Sequence, residues 1–314
     1  MAQFLYDLIV KLSCGGRFSR AAYRWALLLR RVVTKFHDPL IKYKLGKSTI
    51  HIPISSNLGI YQEKHPAFST AIGRITAHVS EKYHELKVID VGANVGDTIA
   101  IIRNMGDYHI LGIEGDVKFF SILKKNTEEF SNVHVVCSFV GEISGKVGGK
   151  LITGGGTGHL SLSEKEESDS MTARSLTDTL KEYSEFWCAK VIKIDTDGYD
   201  GKIIRGAREW LADVKPVLFF EYDPLLLIQQ SDDGLSIFSL LLSLGYRRAL
   251  VYKNTGEYML SVELDNMRLL GELHEYFSGR KVKYCDICVF SEVDLDLCEK
   301  VRCSEMNFFR ELNK

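Results

Sequence analysis

Acidic side chains and glycines follow one strongly apolar stretch of the chain. In KVIDVGANVGDT, residues 87–98, a strand-like run leads into a turn with two glycines and then into a helical pattern. Gly92 and Gly96 can adopt backbone dihedrals that larger residues avoid, and Asn94 is one of the few other types that tolerates a positive φ. Such a turn brings backbone close to a ligand at the carboxyl edge of a parallel sheet. The pattern predicts a ligand-binding turn.

The charges around this turn indicate which ligand it binds. Glu114 ends the next strand-like run, 18 residues after Gly96, about where an acid contacts ribose hydroxyls in nucleoside sites. A dinucleotide fingerprint fails, because Asn94 and Asp97 occupy the positions of its second and third glycines. Asp97 would also repel a pyrophosphate from the positive end of the helix. S-adenosylmethionine carries an ammonium and a sulfonium but no phosphate, so we expect it as the cofactor. The expected cofactor-binding residues are Asp90, Gly92, Asn94, Gly96, Glu114 and Ser138.

Two further strand-like runs, 191–195 and 217–222, end in carboxylates. These are Asp195, Asp197 and Asp200 with the first run, and Glu221 and Asp223 with the second. Carboxylates on neighbouring strand ends can act as a general base, orient a hydroxyl or bind a hard cation. We expect Asp195 to be the catalytic base, and His159 in the glycine-rich GGGTGH run is the second candidate. Capping of the next helix is the alternative role for Asp197 and Asp200. A metal-assisted alternative places Mg²⁺ on Asp195 with Glu221 or Asp223.

Alternating strand-like and helical patterns must position these side chains. They predict an α/β fold, with a mostly parallel sheet covered by helices on both faces. Strands are expected at 87–91, 109–113, 133–138, 191–195, 217–222, 247–252 and 283–290, the last one antiparallel. Helices are expected at 97–104, 117–129, 200–211 and 234–244. Residues 143–175 are rich in glycine, and we interpret them as an insertion loop that closes over the substrate.

Composition and charge narrow the class of protein. The 314 residues are 45% hydrophobic and 26% charged, which is typical of a soluble globular chain. A net charge of −1 lacks the basic signature of a nucleic-acid-binding protein. Because no apolar run is long enough to span a bilayer and the first residues lack a secretory signal pattern, we expect a cytoplasmic protein. The seven scattered cysteines indicate reduced thiols, and Cys285 and Cys288 should point to opposite faces of a strand rather than bind zinc.

The first part of the chain is basic. Residues 1–47 hold ten Lys or Arg and two acids, a net charge of +8, so the remaining residues carry −9. At 100° per residue along 17–36, five cations fall on one side of a helix, namely Arg17, Arg20, Arg24, Arg31 and Lys35. Seven apolar residues fall on the opposite side, namely Phe18, Ala22, Trp25, Ala26, Leu29, Val33 and Phe36. Such a helix either packs on the main domain with a solvated basic face or lies on anionic lipid. We divide the chain into a basic amphipathic helical extension, 1–80, and a main α/β domain, 81–314.

The order of these motifs resembles the FkbM family of S-adenosylmethionine-dependent methyltransferases over roughly residues 87–223, and more weakly to about residue 290. The motifs are VIDVGANVGDT, Glu114, SLTDTL, IKIDTDGYDGKIIRGA and FFEYDP. The resemblance implies a seven-stranded class I methyltransferase domain and methyl transfer, commonly to a hydroxyl of a sugar or natural product. The second motif of the family usually reads KIDVEG followed by a glutamate, and this chain has Thr196, Asp197 and Asp200 in those places.

Two other functions stay open at this point. One is a nicotinamide-dependent oxidoreductase, and the other is a non-catalytic, membrane-associated binding module with a degenerate methyltransferase fold. For the methyltransferase, the expected partner is a small-molecule, glycan or lipid-linked glycan acceptor and not a nucleic acid. Peripheral association with the inner face of a membrane would occur through residues 17–36.

Overall fold

The computed structural model describes residues 1–15, 19–148, 150–154, 157–161, 170–279 and 284–312. The strands are β1 (Leu40–Leu45), β2 (Ser48–Pro53), β3 (Lys87–Val91), β4 (His109–Glu114), β5 (Val133–Cys137), β6 (Phe139–Gly141), β7 (Gly145–Gly148), β8 (Lys150–Gly154), β9 (Thr157–Ser161), β10 (Ser170–Ser175), β11 (Val191–Ile194), β12 (Val217–Tyr222), β13 (Tyr246–Lys253), β14 (Tyr258–Glu263) and β15 (Cys285–Ser291). The α-helices are α1 (Ala2–Ser13), α2 (Ser19–Phe36), α3 (Leu58–Lys64), α4 (Ala71–Lys82), α5 (Asp97–Arg103), α6 (Val117–Thr127), α7 (Leu176–Glu182), α8 (Asp200–Gly206), α9 (Arg208–Val214), α10 (Pro224–Gln229), α11 (Gly234–Ser243), α12 (Met267–Ser278) and α13 (Leu295–Leu312).

An eight-stranded sheet forms the centre of the fold. Its strand order is β14-β13-β15-β12-β11-β3-β4-β5. The five strands from β12 to β5 are parallel, and β15 runs antiparallel between β12 and β13. The seven strands from β13 to β5 confirm the expected class I methyltransferase architecture, and β14 adds an eighth strand at one edge. β11 and β12 are buried along their whole length, as the central strands of a sheet covered on both faces must be.

The two faces of the sheet build two apolar cores, because successive side chains of a strand point to opposite faces. Val88 of β3 belongs to one core and its neighbour Ile89 belongs to the other. Cys288 and Cys285 are divided in the same way, which confirms their expected orientation, and both are free thiols. The first core also includes Ile52 of β2, so the N-terminal extension is packed on the main domain.

The N-terminal extension is more than a helix. The expected basic helix is present as α2, although Arg17 and Phe18 lie outside the described residues. A β-hairpin of β1 and β2, which the sequence reading missed, lies between α2 and α3. Helix α4 is held to α13 by the guanidinium of Arg74, which donates to Glu305 Oε1 and Oε2 at 2.7 and 2.8 Å. Within the described residues, no helix is both long and apolar enough to cross a membrane.

One predicted helix is two helices. The pattern at 200–211 indicated a single helix, but the structure ends α8 at Gly206 and begins α9 at Arg208. The carbonyl of Gly206 accepts a hydrogen bond from Thr177 Oγ1 at 2.9 Å. A Cβ at Gly206 would lie 2.6 Å from the carbonyl oxygens of Gly141 and Glu142. Tight packing of this backbone against neighbouring segments therefore separates the two helices.

The expected insertion loop contains regular structure. β10 pairs antiparallel with β7 and parallel with β6, and β8 pairs antiparallel with β9. The prediction of a loop at 143–175 is therefore wrong for these strands, because pairing satisfies backbone N–H and C=O groups that a glycine-rich loop would leave to solvent. His159 lies in β9 opposite Ile152. The side chain of His159 is outside the described part of the chain, and so are Gly155 and Gly156.

Candidate active site

A cavity of about 830 Å³ lies at the carboxyl ends of the parallel strands. Its walls come from the turn after β3, the ends of β4 and β11, and the segment that follows β5. The N-terminal extension supplies another wall through Ser56, Asn57 and Tyr61. The cavity therefore lies at the edge where open α/β sheets generally bind their ligands.

The turn after β3 is folded as its residues predict. Gly92, Asn94 and Gly96 have φ values of 76°, 47° and 87°. A Cβ on Gly92 would lie 1.9 Å from the carbonyl oxygen of Asp195, so only glycine fits there. The amide of Asp195 in turn donates to the carbonyl of Val91 at 3.1 Å. The two acidic motifs, more than 100 residues apart in sequence, thus meet through their backbones.

Glu114 lies at the end of β4 and faces the cavity. Its Oε2 accepts from the backbone amide of Asn94 at 2.8 Å, and its Oε1 accepts from the amide of Asp116 at 2.7 Å. Burial raises the pKa of Glu114, and the two backbone amides oppose that effect. Because each carboxylate oxygen has more than one lone pair, both can still accept from ligand hydroxyls.

Ser138 and an apolar wall complete this half of the cavity. The amide of Ser138 donates to the carbonyl of Glu114 at 3.0 Å, which holds the segment after β5 beside β4. Phe119, Phe139 and Val140 line the same region. Apolar side chains beside a carboxylate suit a nucleoside base next to its sugar.

Lys193 is the main functional residue that sequence reasoning missed. Its ammonium lies 3.2 Å from Asp90 Oδ1 and 3.4 Å from Asp195 Oδ2, and it donates to the carbonyl of Gly92 at 3.0 Å. Burial opposes protonation of Lys193, but the charges of Asp195, Asp90 and Asp97 outweigh it and raise its pKa. The signal was a lysine inside the apolar run VIKI, where a charge requires a buried partner.

Asp90 and Asp195 have different places in this cluster. Asp90 is fully buried beneath the cavity and does not line it, so its contact is with Lys193 rather than with the cavity. Burial raises the pKa of Asp90, although the Lys193 ammonium opposes the shift. Asp195 follows β11 directly, lines the cavity and keeps 51% of its side chain exposed. Of these two carboxylates, Asp195 is therefore the one that a bound molecule would meet.

Three further acids beside Asp195 titrate near neutrality. Burial raises the pKa of Asp97 to about 6, against the favourable charge of Lys193. Burial and the charge of Asp195 raise the pKa values of Asp197 and Asp200 to about 7. Asp197 has a φ of 51° and does not cap α8. Asp200 Oδ2 instead accepts from Thr196 Oγ1 and from the amide of Gly198, inside the same turn.

The end of β12 contributes Glu221 but not Asp223. Glu221 is 7% exposed, lines the cavity and has a pKa raised well above its usual value by burial. Asp223 Oδ1 accepts from the amides of Leu225 and Leu226 and so caps α10. Across the described residues, no three His, Cys, Asp or Glu side chains are grouped as a metal site requires. The expected Mg²⁺ alternative is without support.

Comparisons with known proteins identify the family of this chain. The model of the Methyltransferase FkbM domain matches residues 90–248, which are 159 of the 314 residues. The fold and site define a class I methyltransferase, and this chain belongs to the FkbM family. A search of curated proteins finds no match.

Three solved structures illustrate the likeness. The methyltransferase FkbM from Methylobacillus flagellatus KT is 16% identical, with 65% of this chain and 43% of that chain covered and a TM-score of 0.38. An O-methyltransferase from Bacillus cereus, solved with SAH, is 11% identical over 70% of this chain and 80% of that chain, with a TM-score of 0.38. A tRNA (uracil-54, C5)-methyltransferase from Pyrococcus abyssi is 11% identical over 80% of this chain and 44% of that chain, with the same TM-score. This chain thus spans less than half of the first of these proteins.

Proposed function

We propose that this protein transfers the methyl group of S-adenosylmethionine to a hydroxyl of a sugar, glycan or other small natural product. One observation carries the proposal: the carboxylate of Glu114, at the end of β4, and the exposed carboxylate of Asp195 line one cavity beside a glycine turn. Membership of the FkbM family agrees with methyl transfer. The acidic walls favour a cationic cofactor over a phosphate-bearing one.

The residues of the cavity fit this cofactor. Glu114 would accept hydrogen bonds from the ribose hydroxyls, and the apolar side chains of Phe119 and Phe139 would contact the adenine ring. Gly92 lets the turn pack against the backbone of Asp195, which any side chain at that position would strike. The carboxylate of Asp97 would face the ammonium on the amino acid part of the cofactor, because opposite charges attract. Bound S-adenosylmethionine supplies an electrophilic methyl group on a sulfonium centre.

Asp195 is the proposed general base. It accepts the proton of the acceptor hydroxyl while the acceptor oxygen forms its bond to the methyl carbon and the bond from that carbon to sulfur breaks. A positioned base contributes about 10² to 10⁴ in rate. Alignment of acceptor and methyl group contributes about 7 to 11 kcal/mol, the larger share. The ammonium of Lys193, 3.4 Å from Asp195 Oδ2, holds the carboxylate in place for this task.

Binding and turnover test the proposal separately. Calorimetry should detect binding of S-adenosylmethionine and of its demethylated product, and no binding of NAD. Cofactor labelled in the methyl group should then label an acceptor in soluble or lipid extracts. Activity is expected to persist in EDTA, because the proposal includes no metal. Binding of NAD alone would favour the oxidoreductase, and no binding of any of the three would favour a non-catalytic module.

The Asp195→Asn variant tests the base. We expect turnover to fall by about 10² to 10⁴ while cofactor affinity stays near that of the parent. The matched control is Asp233→Asn at the exposed N-terminus of α11, where asparagine caps equally well. Unchanged turnover in Asp195→Asn would remove this residue from the mechanism.

A further inference from the structure

Helix α2 exposes two stripes of side chains to solvent. The first is basic and consists of Arg20, Arg24, Arg31 and Lys35, which are all exposed. The second is apolar and contains Trp25, Leu28, Leu29, Val32 and Phe36. At 100° per residue the two stripes lie next to each other on the helix. Trp25 is 73% exposed and Phe36 is 83% exposed, so the part of the chain that the structure describes leaves this apolar stripe uncovered.

A third face attaches α2 to the rest of the molecule. Ala26 is buried, and the Arg30 guanidinium donates to Asn57 Oδ1 at 2.9 Å. Arg30 also donates to the carbonyl of Ser56, and both acceptor residues line the cavity. The helix is therefore fixed to the rim of the cavity by its inner face, while the two stripes remain on the outside.

We propose that α2 docks the protein on an anionic lipid bilayer, with the apolar stripe at the boundary of headgroups and acyl chains and the basic stripe on the headgroups. Adjacent apolar side chains that are exposed together mark binding surfaces. An interfacial helix needs such a stripe beside cations, and both are present. Residues 48–314 carry a net charge of −9, so an anionic surface repels that part of the chain and attracts the basic N-terminal part that contains this helix.

Charge also argues against a second copy as the occupant. Two α2 helices packed through their apolar stripes would bring the adjacent basic stripes of both copies close together. Like charges repel each other in such an interface, whereas anionic headgroups neutralise them. The proposal does not depend on methyl transfer, so its failure would leave the proposed activity untouched.

Sedimentation of the full chain with vesicles tests the proposal. The vesicles contain phosphatidylcholine alone or with one third phosphatidylglycerol. We expect binding only to the anionic vesicles, with an affinity that falls as salt is added. Each basic residue at such a surface is worth about fivefold in partition coefficient. Arg24→Glu with Arg31→Glu should therefore weaken binding by at least about 25-fold.

The matched control changes the same charge elsewhere. Lys124 and Lys125 are exposed on α6, and replacing both by Glu should leave vesicle binding unchanged. Replacing Trp25 and Phe36 by Ser should weaken binding by about tenfold or more, since apolar area no longer leaves water. Equal losses in the α2 and α6 pairs would overturn the proposal, because they would show a general effect of net charge.

Tryptophan fluorescence locates the contact. Of the three tryptophans, Trp210 is buried, Trp187 is half-buried and Trp25 is exposed on α2, so a blue shift on vesicle binding should come from Trp25. Trp25→Phe should keep vesicle binding and lose the shift. Light scattering at several protein concentrations tests whether a second copy covers the stripe instead. Lipid docking would be refuted if the protein does not bind anionic vesicles and forms a dimer that the Trp25 and Phe36 substitutions dissociate.

Discussion

Replacing Lys193 by Met removes the ammonium that lies between Asp90 and Asp195. Asp90 is fully buried, and its only described charge partner at 3.2 Å is this ammonium. Removing one member of a buried ion pair costs about 3 to 5 kcal/mol, because the remaining charge is left in a poor solvent. We therefore expect the free energy of unfolding of Lys193→Met to fall by about that amount near neutral pH.

The loss should depend on pH in a defined direction. Burial already raises the pKa of Asp90, and without Lys193 it rises further. The folded state then holds a proton that the unfolded state releases, so stability decreases as pH rises from the unfolded pKa to the folded one. The destabilisation should consequently be smaller at about pH 5 than at about pH 8.

Urea unfolding, followed by circular dichroism, measures the free energy of unfolding at both pH values. The Asp90→Asn variant leaves Lys193 paired with Asp195. The double variant, Asp90→Asn with Lys193→Met, removes both charges of the buried pair. We expect the double variant to recover most of the stability that Lys193→Met loses, since two neutral groups need no counter-charge. Lys253→Met is the matched control, because Lys253 pairs with Glu257 on the surface, where such pairs contribute about 0.5 kcal/mol.

Two results would refute the reasoning. One is a loss in Lys193→Met no larger than that in Lys253→Met at the higher pH. The other is a double variant in which the losses of the two single variants simply add, because additivity would mean that Lys193 and Asp90 do not interact.

The remaining predictions concern the cofactor turn. Gly92→Ala should prevent cofactor binding and lower the melting temperature, because a Cβ there would lie 1.9 Å from the Asp195 carbonyl oxygen; normal binding in calorimetry would refute the contact. S-adenosylmethionine should bind more tightly as pH rises through the Asp97 pKa of about 6, since the ionised carboxylate attracts its positive charge. The demethylated product keeps the ammonium of the amino acid part and should show the same dependence, and Asp97→Asn should flatten the dependence for both; an equal slope in that variant would exclude Asp97 as the cause.

Much of the sheet and part of the site could be predicted from local sequence. Buried parallel strands read as continuous apolar runs, so β3, β11 and β12 were found at nearly their observed bounds. The rule that ligands meet the carboxyl ends of such strands placed Glu114 and Asp195 in one cavity. The same rule failed for Asp223, because a carboxylate just after a strand can cap the next helix instead.

The sequence by itself determined the elements, the glycine turn and the acidic strand ends, because each depends on residues a few positions apart. Only the tertiary structure decided which charges are paired and which surfaces stay open. Lys193 contacts the carbonyl of Gly92 across 101 positions, and Arg30 ties α2 to Asn57 across 27. The periodicity of α2 shows that its apolar residues share a side, but not that Trp25 and Phe36 lie outside the core. Burial depends on what the rest of the chain packs against that helix, and no local pattern contains that information.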